Sequence, residues 1–456
     1  MQSPDNLVAV QERRGHAERT ARALDRKQFA ITKQLLDPAY RKPKPLPSFG
    51  NGQPVADDGV GQGVDLCHVM RVFHNEAAAK PNDSGPVISP AAMTTPRRAP
   101  EGSQVEMPAD GGASFAPAAR PPGPGPAVPR APVPHAQAQR PLARPSPALR
   151  PPALRPGDRV AVLSVSSPAD PAKLAIGLQA LRFAGLDPVA YPSARDHGSM
   201  RRYLAGDDQM RAADLCAALT DPGVAGIIFA TGGSGAQRTL EVMDWDAVAG
   251  LPPKVLAGYS DVTALLEAVS CKLRWASLLS PMAASSGAAM HYSFGSMLRA
   301  LMHPELATDI RYPMATRLVG GTASGVTLGG NLTLLTSSLG TDTSWPARGG
   351  ILLVEDQNEP DYRLDRMLTQ LRRSGYLDGV AGIVAGTFVG CGEPAAVEEI
   401  LAERLGSLGV PMIAWANVGH GGYFQTFPVG VAAELNADAA TLRLLEPPLL
   451  PAAPAA

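Results

Sequence analysis

Val224-Ala-Gly-Ile-Ile-Phe-Ala230 is followed directly by Thr231-Gly-Gly-Ser-Gly235. A run without charge, rich in β-branched and aromatic residues, reads as a strand covered on both faces. The glycines then turn the chain into a helix, which is the strand-turn-helix order of a parallel crossover unit. Working outward, the unit recurs. An apolar strand is expected over 158–165, a helix over 171–184, a short strand over 187–191 and a helix over 207–220, on which Leu215, Ala218 and Leu219 share a face. A strand over 254–258 leads through Tyr259 and Ser260 into a helix over 261–271. A second block follows, with a turn at Gly329-Gly-Asn-Leu332 and a helix to 339. It continues with a strand over 350–354, a helix over 362–374, a strand over 380–386, a helix over 395–405 and a strand over 410–415. The stretch 429–445 alternates like an antiparallel edge. The pattern predicts two α/β domains with largely parallel sheets.

Composition marks where folding begins. The chain has 456 residues, and 23 of its 45 prolines lie in residues 1–150, whereas Trp245, Trp275, Trp345 and Trp415 all lie beyond. Residues 1–150 are therefore expected to be a disordered Pro/Ala/Gly-rich extension and linker, acid-free between Asp110 and Asp158. A short helix over 17–37 would lack an apolar partner. The domains expected are 151–285, a bridging segment 286–325, a second domain 326–447 and a tail 448–456. No Gly-X-Y period appears, and four cysteines are too few for a disulfide scaffold. Cys67, Cys216, Cys271 and Cys391 form no C-x-x-C pair, so no metal site is expected. A formal net charge of −1 removes the electrostatic argument for nucleic acid or an anionic membrane as partner. Residues 59–63 (GVGQG) lack the preceding strand of a nucleotide loop, and no cofactor is expected. With no secretory signal pattern and no run of about 18 apolar residues, the expectation is a cytoplasmic protein.

In parallel α/β sheets ligands gather beyond the carboxyl ends of the strands. Three such turns carry reactive groups: Gly258-Tyr-Ser-Asp261, Val354-Glu-Asp356 and Val418-Gly-His-Gly421. Ser260 between a short strand and a helix fits a projected nucleophile, with the Asp261 N–H at the helix start, although the pattern is G-x-S-x rather than G-x-S-x-G. It fits equally an N-cap serine. His420, flanked by glycines, fits a general base or a structural imidazole. Glu355, after four apolar residues, fits the group that orients an imidazole, or a salt bridge to Arg363 or Arg366. Gly232-Gly-Ser-Gly235 lacks the Lys-Ser/Thr of a P-loop, and its N–H groups could serve a phosphate or an oxyanion.

Seven motifs occur in the order seen in LD-carboxypeptidases: Leu154-Arg-Pro-Gly-Asp-Arg-Val160, Arg202-Tyr-Leu-Ala-Gly206, Gly232-Gly-Ser-Gly235, Gly258-Tyr-Ser-Asp-Val-Thr263, Gly329-Gly-Asn-Leu332, Val354-Glu-Asp356 and Gly419-His420. The chain resembles that family, which includes muramoyltetrapeptide carboxypeptidases and microcin-immunity peptidases, over about residues 152–446. The resemblance implies a serine peptidase with its site at the domain interface. Ser260 would be its nucleophile, His420 its general base and Glu355 the orienter, with an oxyanion hole formed by the backbone N–H groups of Asp261 and Gly233. It implies a peptide substrate, a murein tetrapeptide losing D-Ala in cell-wall recycling, and a possible homodimer. Hydrolysis of a peptidyl-nucleotide amide and a non-catalytic binding protein are the alternatives. Thr231 and Ser234 stand where many members have Arg and Tyr, and Ser280-Pro-Met282 where His-Gly-Pro is usual.

Overall fold

The computed structural model describes residues 147–196, 199–285 and 290–451, the side chains at 290 and 291 apart. The expected helix over 17–37, Cys67 and all of the expected extension except 147–150 lie outside the described residues.

The first sheet holds β1 (Arg159–Leu163), β2 (Asp187–Ala190), β3 (Gly226–Phe229), β4 (Val255–Gly258) and β5 (Ser277–Leu279), parallel throughout and ordered β5-β4-β3-β1-β2. Local chemistry starts its helices. Asp170 caps helix Pro171–Phe183 by accepting from the Lys173 N–H, with Pro171 in the first turn, and Asp207 caps helix Asp208–Thr220 through the Met210 N–H.

The second sheet is mixed. It comprises β6 (Asp309–Arg311), β7 (Thr316–Val319), β8 (Thr322–Asn331), β9 (Gly350–Gln357), β10 (Gly382–Val389) and β11 (Met412–Ala414), with β13 (Ala432–Asn436) and β14 (Thr441–Leu444). β8 to β11 run parallel at its centre, and antiparallel strands flank them in the order β6-β14-β13 on one side and β7 on the other. The segment 286–325, expected as a bridge, supplies both edge strands, β6 and β7. The stretch 429–445 is antiparallel as expected but not an edge, because β6 pairs with β14 and satisfies its outer backbone groups. β12 (Phe427–Val429) leaves the second block and pairs antiparallel with β5, completing the first sheet.

The facing sides of the two sheets share one core, in which Leu279, Phe427, Ile351, Leu353, Val384 and Ile413 are all fully buried. Helices Pro171–Phe183 and Met290–Met302 contribute to a second core with Val160, Val162 and Ile228 of the first sheet. Helices Asp361–Arg373 and Pro394–Arg404 do the same for the second sheet. The last residues of the expected extension are pinned to this body. The Ala148 N–H donates to the Gly430 carbonyl at 2.8 Å, Leu149 forms a bridge with Trp275, and Arg150 pairs with Glu446 at 2.8 Å. Part of the expected tail is pinned too, through the Leu450 N–H to the Pro151 carbonyl at 2.9 Å. Among the described residues no helix is long and apolar enough to cross a membrane.

Candidate active site

β4 ends at Gly258, and two residues later Ser260 has φ +63°, a left-handed conformation unusual for a residue with a side chain. Such a conformation costs about 1–2 kcal/mol per residue and persists only where the surroundings enforce it. Immediately afterwards the chain enters a 3-10 turn, Ser260–Val262, and the helix Thr263–Lys272. No side-chain cap is made at the start of that turn. The Ser260 hydroxyl instead lies 3.0 Å from Nε2 of His420.

His420 arrives from the second block, after β11. Thr387 holds the loop on both sides of it: the Thr387 N–H and hydroxyl donate to the Val418 carbonyl at 2.9 and 3.2 Å, and the Thr387 hydroxyl accepts from the Gly421 N–H at 3.1 Å. Thr387 is available because the register of β10 against β9 shifts between Ala385 and Phe388, an irregularity of the kind that re-aims side chains beside sites. Gly419 has φ +114°, and a Cβ there would sit 2.4 Å from Oε2 of Glu355. The lack of a side chain at Gly419 leaves the carboxylate room beside the loop, and His420 Nδ1 lies 2.7 Å from Glu355 Oε2.

Glu355 does not emerge from its strand as its position after the apolar run implied. β9 continues to Gln357, and Glu355 is fully buried. Its other oxygen accepts from Nδ2 of Asn331 at 3.3 Å, and the same Nδ2 lies 3.0 Å from Oδ1 of Asp356. Asp356 also accepts from the N–H and hydroxyl of Thr333, each at 2.9 Å. Burial and then the neighbouring Glu355 charge push the Asp356 carboxyl up, against these hydrogen bonds. Neither arginine offered as a rival partner reaches Glu355: Arg363 pairs with Glu359 at 2.8 Å and Arg366 lies over the Tyr362 ring.

The three predicted side chains therefore meet in one hydrogen-bonded row, with Ser260 on the first sheet and Glu355 and His420 on the second. A carboxylate on Nδ1 favours the tautomer with the proton there, which leaves the Nε2 lone pair facing the serine hydroxyl. Tyr259 backs the imidazole, its ring 4.9 Å from that of His420 and 4.8 Å from that of Phe424. Burial and then the Glu355 charge push its phenol up to about 12, so it remains neutral at ordinary pH.

Gly232 faces the turn that carries Ser260, with Gly233 beside it. A Cβ on Gly232 would lie 2.9 Å from Cβ of Ser260 and 3.5 Å from the Asp261 nitrogen, and Gly233, at φ +108°, is pressed against Ser167. Ser234 donates its N–H to the Ser167 hydroxyl at 3.1 Å, and Ser280 donates its N–H to the Gly258 carbonyl at 3.2 Å, bracing β4 from behind. Sequence reading assigned no role to Asn331, Thr387 or the Tyr259 ring. Asn331 stood inside a quoted motif and Tyr259 beside the serine, so their positions were visible. Nothing in the local pattern marks Thr387, whose role depends on the strand irregularity.

Family models for the LD-carboxypeptidase N-terminal and C-terminal domains match residues 160–280 and 324–435. A Streptomyces coelicolor protein provisionally named a carboxypeptidase is 45% identical over 294 residues, covering 64% of this chain and 95% of its own. The murein tetrapeptide carboxypeptidase of Pseudomonas aeruginosa is 29% identical over 299 residues, covering 61% and 94%. Among solved structures, the microcin C7 self-immunity protein MccF in complex with glutamyl sulfamoyl guanosine superposes with a TM-score of 0.60 at 22% identity, covering 66% of this chain and 99% of its own. At that identity the likeness concerns the fold.

Proposed function

The chain belongs to the LD-carboxypeptidase family, and from that premise we propose that it is a serine carboxypeptidase acting on a murein tetrapeptide, releasing the C-terminal D-Ala in the cytoplasm during cell-wall recycling. The observation that carries the reading is the unbroken row of contacts from Ser260 through His420 to Glu355, 3.0 and 2.7 Å long, joining two sheets at a strained serine.

In the proposed mechanism, Nε2 of His420 takes the proton from Ser260 as its oxygen attacks the carbonyl carbon of the penultimate residue. Glu355 holds Nδ1–H and stabilises the imidazolium. The negative charge developing on the carbonyl oxygen is received by the Asp261 N–H, at the start of a helix, and by an N–H of the Gly232-Gly233 pair, most simply Gly233. The imidazolium then returns its proton to the nitrogen of the departing D-Ala. The C–N bond breaks and an acyl-serine remains. Water, deprotonated by His420, attacks the ester, and the proton returns to Ser260 as the tripeptide leaves. The substrate class follows the name of the Pseudomonas relative, a murein tetrapeptide carboxypeptidase.

The substrate is tested by incubating the full chain, in parallel, with a murein tetrapeptide and with an aminoacyl-adenylate analogue. We expect kcat/KM for D-Ala release to exceed that for the nucleotide amide by about a thousandfold or more, beyond the roughly 10–200-fold that one methylene of pocket fit supplies. The opposite preference would move the reading to the microcin-immunity type.

A further inference from the structure

Asp261 presents more to the site than its backbone N–H. Its side chain is also well placed. Only 5% exposed, its Oδ2 accepts from the Ser166 hydroxyl at 2.6 Å and from the Ala236 N–H at 2.8 Å. Ser166 lies on the loop after β1, and Ala236 starts the short helix Ala236–Glu241 that follows the glycine loop after β3. The loops are also joined to each other, through the Ser167 N–H to the Gly232 carbonyl at 3.1 Å and the Ser234 N–H to the Ser167 hydroxyl at 3.1 Å. A carboxylate attached one residue after Ser260 therefore ties the far end of the glycine turn, at Ala236, to the neighbouring loop at Ser166. Gly232 and Gly233 precede Ala236 by only a few residues, and Gly232 packs directly against Ser260.

We propose that the Asp261 carboxylate is a positioning residue of the reaction: by binding the Ser166 hydroxyl and the Ala236 N–H, it fixes the Gly232-Gly233 backbone at the distance from Ser260 at which it can receive the oxyanion. The proposal rests on the serine-peptidase reading above. Burial pushes this carboxyl up, and the two hydrogen bonds and then the Arg211 charge oppose the rise, so the site spends binding interactions to keep an acceptor there. A neutral acceptor of the same shape would serve the geometry nearly as well, and that separates positioning from charge.

The test uses Asp261→Ala and Asp261→Asn in the full chain, both of which keep the backbone N–H of residue 261. Asp261→Ala should lower kcat for D-Ala release by about a hundredfold or more, the scale of a lost oxyanion donor, with KM changed less than about threefold. Its affinity for a serine-directed peptide boronate, which mimics the tetrahedral adduct, should fall by the same factor as kcat. Binding of the uncleaved tetrapeptide, measured with Ser260→Ala also present, should not fall. Asp261→Asn should recover kcat to within about tenfold of the parent. If Asp261→Ala does not fold, Ser166→Ala removes one of the two tethers and should lower kcat and boronate affinity together by about tenfold. The proposal is overturned by a kcat within threefold of the parent in the soluble alanine variant. Equal losses in boronate and substrate binding, the mark of general loosening, would overturn it too. Failure of the underlying reading looks different: turnover that survives Ser260→Ala alone, whatever residue 261 is.

Discussion

At the scale of single residues, the site is built from conformations that a side chain normally avoids. Ser260 at φ +63° holds its hydroxyl toward Nε2 of His420 at an energetic cost, and that cost can be measured by comparing two variants that both lack the hydroxyl. Ser260→Gly should be more stable than Ser260→Ala by about 1 kcal/mol, because both lose the hydroxyl and only glycine relaxes the backbone, a difference of about 2 °C in melting temperature for a chain of this size. Equal melting temperatures would show that no strain is stored there. Gly419 is constrained from the other side. Placing a methyl 2.4 Å from Oε2 of Glu355 must move the carboxylate or the loop, so Gly419→Ala should cost at least about a hundredfold in kcat. Steady-state kinetics beside a circular-dichroism melt would separate that loss from unfolding.

At the scale of elements, the parallel strands were legible because each is a short apolar run followed by a helical stretch, and their ends carried the reactive residues into view. Less legible was everything that depends on partners distant in the chain. β12 is only Phe427–Val429, too short to declare a partner, and it pairs antiparallel with β5 at the end of the first sheet. The buried row on the second sheet was half legible: Glu355 was identified at its strand, while Asn331, which holds both Glu355 and Asp356, is supplied by a register that no local pattern encodes. β12 also carries an energetic prediction. Phe427 is fully buried in the core between the sheets, so Phe427→Ala should destabilise the protein by about 3–5 kcal/mol in equilibrium denaturation. It should raise amide exchange in β5, its only sheet partner among the described strands.

At the scale of the whole molecule, the two sheets act together, and the contacts between them respond to pH and to the chain ends. Glu267, on helix Thr263–Lys272, accepts from the Tyr376 hydroxyl at 3.3 Å, and burial pushes its carboxyl up to about 8. A carboxyl raised in the folded state binds its proton more tightly there than in the unfolded chain. Its contribution is therefore fully favourable below the unfolded value near 4.5 and is lost as pH rises toward about 8. Glu267→Gln should accordingly flatten the fall in melting temperature between pH 5 and 8 and be the more stable protein at pH 8. A parallel pair of melting curves would contradict this. The anchored start of the body gives a second whole-molecule expectation. A chain begun at residue 147 keeps the contacts of Ala148, Leu149 and Arg150, whereas one begun at 154 loses these and the Ala153 bond to Leu450, and should melt several degrees lower. If a serine on one sheet and an imidazole and carboxylate on the other form one hydrolytic device, D-Ala release from a murein tetrapeptide should differ sharply between the parent protein and Ser260→Ala. We expect release by the parent and a loss of about 10⁴-fold or more in the variant, with the melting temperature within a few degrees. Release by the variant within tenfold of the parent would contradict it.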